Sequence, residues 1–223
     1  MARTYKPRER KPYIIVFWEG ESEEEYMKFM RSEFHEYLNL TVHTKKGTFE
    51  MARKAFSGKG VYADDLSEVD AIWFIFDTEP VLREKWYEYL GILKQLRRKC
   101  KHADTRLLMT KGCIEYYLLL HFEKCAPLIV TPADKENIMQ KLIGKYCADY
   151  AKGDSKSIYE IARYYPTAVE NGEWSLRRIE QEISVTGDMD ERDRRLFITD
   201  QTFSNVQEGI MYLMDLKKVY KEA

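Results

Sequence analysis

The chain has 223 residues, 44% hydrophobic and 33% charged, with a net charge of −1. That length supports one sizeable core, or one core with an appended helical part. The near-neutral balance excludes a molecule-wide nucleic-acid signature, so any such binding must come from local patches. No apolar run approaches the roughly 18–20 residues a membrane span needs. The basic start "MARTYKPRERK" leads into a short strand-like run rather than a long signal core. The expectation is a cytoplasmic protein with no membrane partner. The four cysteines, Cys100, Cys113, Cys125 and Cys147, form no CxxC pair and read as reduced, partly buried thiols.

In chain order, "PYIIVFW" (Pro12–Trp18) is short, apolar and rich in β-branched and aromatic residues, and reads as a buried strand. Ser22, three residues before Glu25, has capping-box spacing. Tyr26, Phe29, Met30, Phe34 and Tyr37 recur at helical spacing, predicting a helix from about Glu23 to Leu38. "LNLTVHT" (Leu38–Thr44) predicts a second strand, and "TFEMARKAF" (Thr48–Phe56) a helix ended by the Gly58–Gly60 loop. "VDAIWFIFD" (Val69–Asp77) is apolar on both faces, as in the centre of a parallel sheet. A helix over Leu82–Lys99, a strand over Thr105–Thr110 and a helix over Cys113–Lys124 follow.

This alternation implies an α/β fold, a parallel-rich sheet with helices on both faces. After Pro132 strand signals fade. "ADKENIMQKLIGKYCADYA", "SKSIYEIARYY" and "TFSNVQEGIMYLMDLKKVY" read as helices, and "TGDMDERDRRL" (Thr186–Leu196) as a charged loop or exposed turn. The organisation expected is a core over residues 1–130 and a helical C-terminal extension over 131–223, packed on the core as one globular unit.

In open parallel sheets, ligands bind beyond the C-terminal ends of the strands. Glu19 follows the first strand there, and Asp77 and Glu79 follow the strongest one. Residues two apart share a side of a strand, so Asp77 and Glu79 can face one crevice. Carboxylates converging there repel, and Mg²⁺ or Mn²⁺ would relieve that cost. Glu115 falls just after the strand "TRLLMT". The acids Glu21, Glu23, Glu24 and Glu25 read instead as helix-start residues favoured by the helix dipole. His121, within "YYLLLHF", reads as a satisfied, partly buried histidine, with catalysis the alternative. His35, His43 and His102 show no pattern. Lys45, Lys46, Lys54, Lys59 and the run Arg97–Lys101 read as solvated charge, or as phosphate contacts in a nuclease.

Three segments carry a family resemblance: "IIVFWEGESEEEYMKFM", "AIWFIFDTEP" and "CIEYYLLLHFE". Together they resemble the RloB-like proteins, which carry a Toprim domain. The third is the most specific, because it keeps the family's Glu and His-Phe spacing. "DQTFSNVQEGIMYLM" weakly resembles the family's C-terminal Asn-Pro-x-Thr-x-Val helix. The resemblance implies a Toprim-like core in which a glutamate and an Asp-x-Asp pair hold Mg²⁺ for phosphodiester chemistry. It implies a nuclease of phage-defence or abortive-infection systems, acting on nucleic acid (DNA, tRNA or another RNA) and often encoded with an ABC-type ATPase. Carried over by position, Glu19 is the Toprim glutamate, Asp77 the first acid of the pair, Glu115 the third acid and His121 the family histidine. Glu19, Asp77, Glu79 and Glu115 are the expected metal ligands. Glu19, Asp77, Glu115 and His121 are the expected catalytic residues. Glu79 replaces the second aspartate, and "TKGC" (Thr110–Cys113) replaces Asn-Pro-Cys at the turn into Glu115.

Two rivals stand beside the nuclease. One is a catalytically degenerate Toprim module that binds an ATPase, a nucleic acid or a nucleotide signal. The other is a primase-like nucleotidyl transferase, disfavoured because "SGKG" at Ser57 lacks Walker spacing. A homo-oligomer remains an open expectation.

Overall fold

The computed structural model describes residues 10–184 and 188–222. The basic N-terminal start up to Glu9, and Thr186 and Gly187 of the expected charged loop, lie outside the described residues. The elements run β1 (Tyr13–Trp18), α1 (Glu21–Phe34), β2 (Asn39–Val42), α2 (Phe49–Ala55), β3 (Ala71–Thr78), a 3-10 turn (Pro80–Lys85), α3 (Trp86–Lys99), β4 (Asp104–Lys111) and α4 (Ile114–Leu119). Five more helices follow: α5 (Pro132–Lys145), α6 (Ser155–Ala162), α7 (Tyr165–Glu182), α8 (Met189–Ile198) and α9 (Val206–Glu222).

The four strands form one all-parallel sheet in the order β2-β1-β3-β4. The fold is α/β, with helices on both faces and a helical C-terminal part. Strand pleating sorts the side chains into two cores. Ile14, Val16, Trp18, Trp73, Ile75 and Leu108 face Tyr26, Met27 and Met30 of α1, with α4, α5, α6 and α9 completing that layer. Ile15, Phe17, Ile72, Phe74, Leu107 and Met109 face Phe49 of α2, Trp86 and Leu93 of α3, and Phe197 of α8. Because β1 and β3 are covered on both sides, their sequences are near-continuous apolar runs.

β1 connects outward to β2 in one direction, while β3 connects to β4 in the other. The sheet therefore has its switch point between β1 and β3, the place beyond the strand ends where ligands bind in open α/β sheets. The strand-end acids fall there.

β4 is an edge strand, and the chain covers it. The Lys111 N–H donates to the Phe203 carbonyl at 2.8 Å, and the Asn205 N–H to the Met109 carbonyl at 3.0 Å. The Asn205 side chain also accepts from the Met109 N–H and donates through Nδ2 to the Leu107 carbonyl at 2.9 Å. A side-chain amide thus stands in for a neighbouring strand's peptide and blocks edge pairing.

The structure corrects several expectations. Gly20, not Ser22, is the α1 N-cap, and no capping box forms. The Ser22 hydroxyl instead accepts from the Gly153 N–H at 3.1 Å, tying α1 to the α5–α6 connection. The helix expected over Cys113–Lys124 is only Ile114–Leu119. It tightens into three-residue turns, with His121 N–H donating to Leu118 and Phe122 N–H to Leu119. The expected charged loop is helical from residue 189 on, within α8: Glu191 pairs with Arg194 and Arg195 one turn on, and Leu196 and Phe197 are buried. α7 went unread, because Pro166 in its first turn and Gly172 inside it interrupt the helical pattern.

Replacing Asn205 by Ala leaves a buried carbonyl and a buried N–H of β4 without partners. The expected loss is about 2–4 kcal/mol in a denaturant titration. A loss under about 0.5 kcal/mol would mean the edge is held elsewhere.

Candidate functional site

β1 delivers Glu19 to the switch point, its N–H still paired to the Ile75 carbonyl of β3 at 3.2 Å. The Glu19 side chain is exposed. Asp77 is the penultimate residue of β3, in register with Thr110 of β4. Its residue surface is partly open, but Oδ1 is buried and has no hydrogen-bond partner among the described residues. Glu115, in the first turn of α4, is 1% exposed. One of its oxygens accepts from the Tyr150 hydroxyl at 3.0 Å and pairs with Lys152 at 3.3 Å.

Sequence reasoning missed Glu23, taking it for a helix-start acid. It is 4% exposed. As the third residue of α1 it folds back over Gly20, so closely that a Cβ there would sit 2.3 Å from its Oε2. This is why Gly follows Glu19: the carboxylate occupies the space a larger residue's side chain would need. The available signal was the Gly20-to-Glu23 interval, the reach of an N3 carboxylate back to its cap.

The charges feel one another. Burial pushes Glu23 up to about 7, helped by Glu115 and Glu19. Burial holds Asp77 well above the carboxylate range, with Glu23, Glu115 and Glu19 adding repulsion. Glu19 is raised by desolvation and by Glu79. The Cys113 thiol, just before α4, is pushed up to about 12 by burial and by Glu115 and Asp77, which makes it unreactive. The structure thus brings Glu19, Asp77 and Glu115 to one locality and adds Glu23.

Two expected residues stand apart. β3 ends at Thr78, so strand alternation no longer governs Glu79. Glu79 is exposed and paired with Lys135 of α5 at 2.9 Å. His121 is 1% exposed. Its Nδ1 meets the Tyr117 carbonyl at 3.0 Å and its Nε2 meets the Tyr26 hydroxyl at 3.1 Å. Nδ1 is therefore the donor and Nε2 the acceptor. Burial pushes the ring down to about 4, so it is neutral at ordinary pH. His121 is sealed in the core rather than placed in the crevice. Its work is positional: with Tyr26 and Tyr117, whose hydroxyls lie 3.2 Å apart, it ties α1 to α4 and so sets Glu23 against Glu115.

Hard oxygen donors, one of them orphaned and buried, suit a hard divalent cation. The cage is not preassembled: among the described residues no three His, Cys, Asp or Glu side chains stand close enough to enclose an ion. The donor chemistry fits, and Glu115 would have to exchange Tyr150 or Lys152 for the ion. Among the described residues no helix is long and apolar enough to cross a membrane.

A parallel α/β protein with buried acids at its switch point is the class these observations define. The family model for RloB-like proteins matches residues 14–213, and the chain belongs to that family. No curated protein and no solved structure matches it significantly.

Glu23 protonates more readily folded than unfolded, so the folded state binds more protons between about 4.5 and 7 and loses stability as pH rises through that window. Glu23→Gln is therefore expected to raise stability by about 2–3 kcal/mol near pH 8 and to change it little near pH 4, measured by thermal melts at both values. An equal effect at both would overturn the assignment. Gly20→Ala should push the carboxylate out of its seat and bring its NMR titration midpoint down from about 7.

Proposed function

We propose that the protein is a metal-dependent phosphodiester nuclease of the Toprim type, acting on nucleic acid in anti-phage defence. The observation that carries the reading is the buried Oδ1 of Asp77 at the switch point of the sheet, without a hydrogen-bond partner among the described residues and repelled by Glu23 and Glu115. Repulsion without a partner costs stability, and selection tolerates such a cost where the charges are used. Family membership supports the reading through the Toprim chemistry that RloB-like proteins resemble.

In this reading Asp77 and Glu23 would hold Mg²⁺ or Mn²⁺, with Glu115 joining from α4. When bound, the ion supplies Lewis-acid polarisation of a phosphodiester and stabilises charge on its oxygens. Glu19, solvent-facing with a raised pKa, takes or gives a proton at its carboxylate at the mouth of the crevice. Tyr150 and Lys152 hold Glu115 in place. Glu79 is spoken for by Lys135, so the second acid of the family pair serves here as an ion-pair partner on the rim.

That pairing, with the absence of a ready cage, favours one other reading: a degenerate Toprim module that binds an ABC-type ATPase, nucleic acid or a nucleotide signal without turnover. Calorimetric titration with Mn²⁺ separates the two. Wild type is expected to bind, and Asp77→Asn and Glu23→Gln to weaken binding at least about tenfold and to abolish cleavage in a screen over DNA and tRNA. Absence of Mn²⁺ binding at millimolar concentration would refute the nuclease and leave the binding module.

A further inference from the structure

Lys111 closes β4 directly before Gly112, whose φ of +109° makes the turn into α4. It is 5% exposed, and its Nζ is fully covered without a hydrogen-bond partner among the described residues. A buried ammonium without a partner is among the costliest features a fold can hold. In register beside it, on the same side of the sheet, Thr78 Oγ1 is also buried and unpartnered among the described residues. So is Nε of Arg83, in the 3-10 turn.

The charges that Lys111 feels are Arg83, Asp200, Glu79 and Lys135. They pair among themselves. Arg83 binds Asp200, and Lys135 binds Glu79 at 2.9 Å. Burial, and then Arg83 and Lys135, hold the Lys111 ammonium below the usual lysine range, and neither ion pair offers it a partner among the described residues. Both pairs are partly exposed, and such pairs are worth little and open readily. Opening them would present Lys111, Arg83, Lys135 and the Thr78 hydroxyl to one incoming anion. Three cations with a hydroxyl donor match the several oxygens of a phosphate.

We propose that Lys111, Arg83, Lys135 and Thr78 form a phosphate-binding subsite on the β3–β4 rim, and that its occupant is a backbone phosphate of the nucleic-acid substrate. The site lies beside Glu79, across the strand ends from the Asp77 carboxylate. The choice of a backbone phosphate rests on the nuclease reading, whereas the anion site itself rests on Lys111 alone.

The full-length protein is titrated with inorganic phosphate against chloride at constant ionic strength, and with short single-stranded DNA and RNA by fluorescence anisotropy. The variants are Lys111→Met, which keeps the chain's volume while deleting the charge, and Arg83→Gln at the surface. Lys111→Met should weaken phosphate and oligonucleotide binding at least about tenfold, and Arg83→Gln about threefold. Lys111→Met should melt no lower than wild type, because it removes an unpartnered buried charge. Phosphate binding equal in wild type and Lys111→Met, or absent from both, overturns the subsite. So does a lowered melting temperature in Lys111→Met with Arg83→Gln binding as wild type, since that marks a structural lysine. Phosphate binding that depends on Lys111 while oligonucleotides are indifferent to it overturns the backbone assignment in favour of a free phosphate. Lys111-dependent phosphate binding in a protein that cleaves nothing supports the subsite and refutes the nuclease. Cleavage by Lys111→Met at an unchanged KM does the reverse.

Discussion

Like charges crowded under low dielectric at the ends of β1 and β3 are the constraint around which this molecule is arranged. Glu23, Asp77 and Glu115 come from three separate elements, and each raises the free energy of the others. Such groups either separate into water or protonate, and here Glu23 and Asp77 hold their protons more tightly. They stay because the elements that carry them are held by apolar burial and hydrogen bonds that the carboxylates do not make. α1 is anchored by Tyr26, Met27, Met30 and Phe34. α4 is apolar around its whole circumference except for Glu115. The Tyr26–His121–Tyr117 cluster joins the two helices a turn or so beyond the acids.

The C-terminal helices belong to the same logic. Residues 200–205 seal the open edge of β4, and the Ser22–Gly153 and Glu115–Tyr150 bonds tie the α5–α6 connection to the crevice. That connection supplies the cation, Lys152, nearest to Glu115. The crevice is therefore built by both halves of the sequence. On the opposite side of the strand ends the balance of charge reverses, and Lys111 is the excess.

Much of the fold was legible along the chain. β1 and β3 are short runs rich in Ile, Phe and Trp, and β3 is apolar on both faces because both faces are covered. Elements whose signals are diluted by charge or by helix-breaking residues were harder. α8 reads as loop because charge fills its middle and its two buried apolar residues, Leu196 and Phe197, sit at its end, and only the aromatic cluster of Trp86, Tyr89 and Phe197 shows what they meet. Of the site, Glu19, Asp77 and Glu115 follow from the strand ends, and the family resemblance adds their roles. Glu23 was indistinguishable from Glu21, Glu24 and Glu25, since all four suit a helix start equally well. Glu79 sits at the spacing that a longer strand would have used, but β3 stops one residue short of it.

By itself the sequence determined the alternation of strand and helix, hence a parallel sheet with its acids at the strand ends, because period and composition are local properties of the chain. Only the tertiary structure decided which of the four helix-start acids is buried, which histidine nitrogen donates, and which lysine is left without a partner among the described residues. Those facts depend on what a side chain meets from an element far away in sequence. Glu23 meets α4, His121 meets α1, and Lys111 meets the segment that returns to seal β4. Burial and pairing are set by such encounters, and they shift an ordinary charged residue far from its behaviour in water.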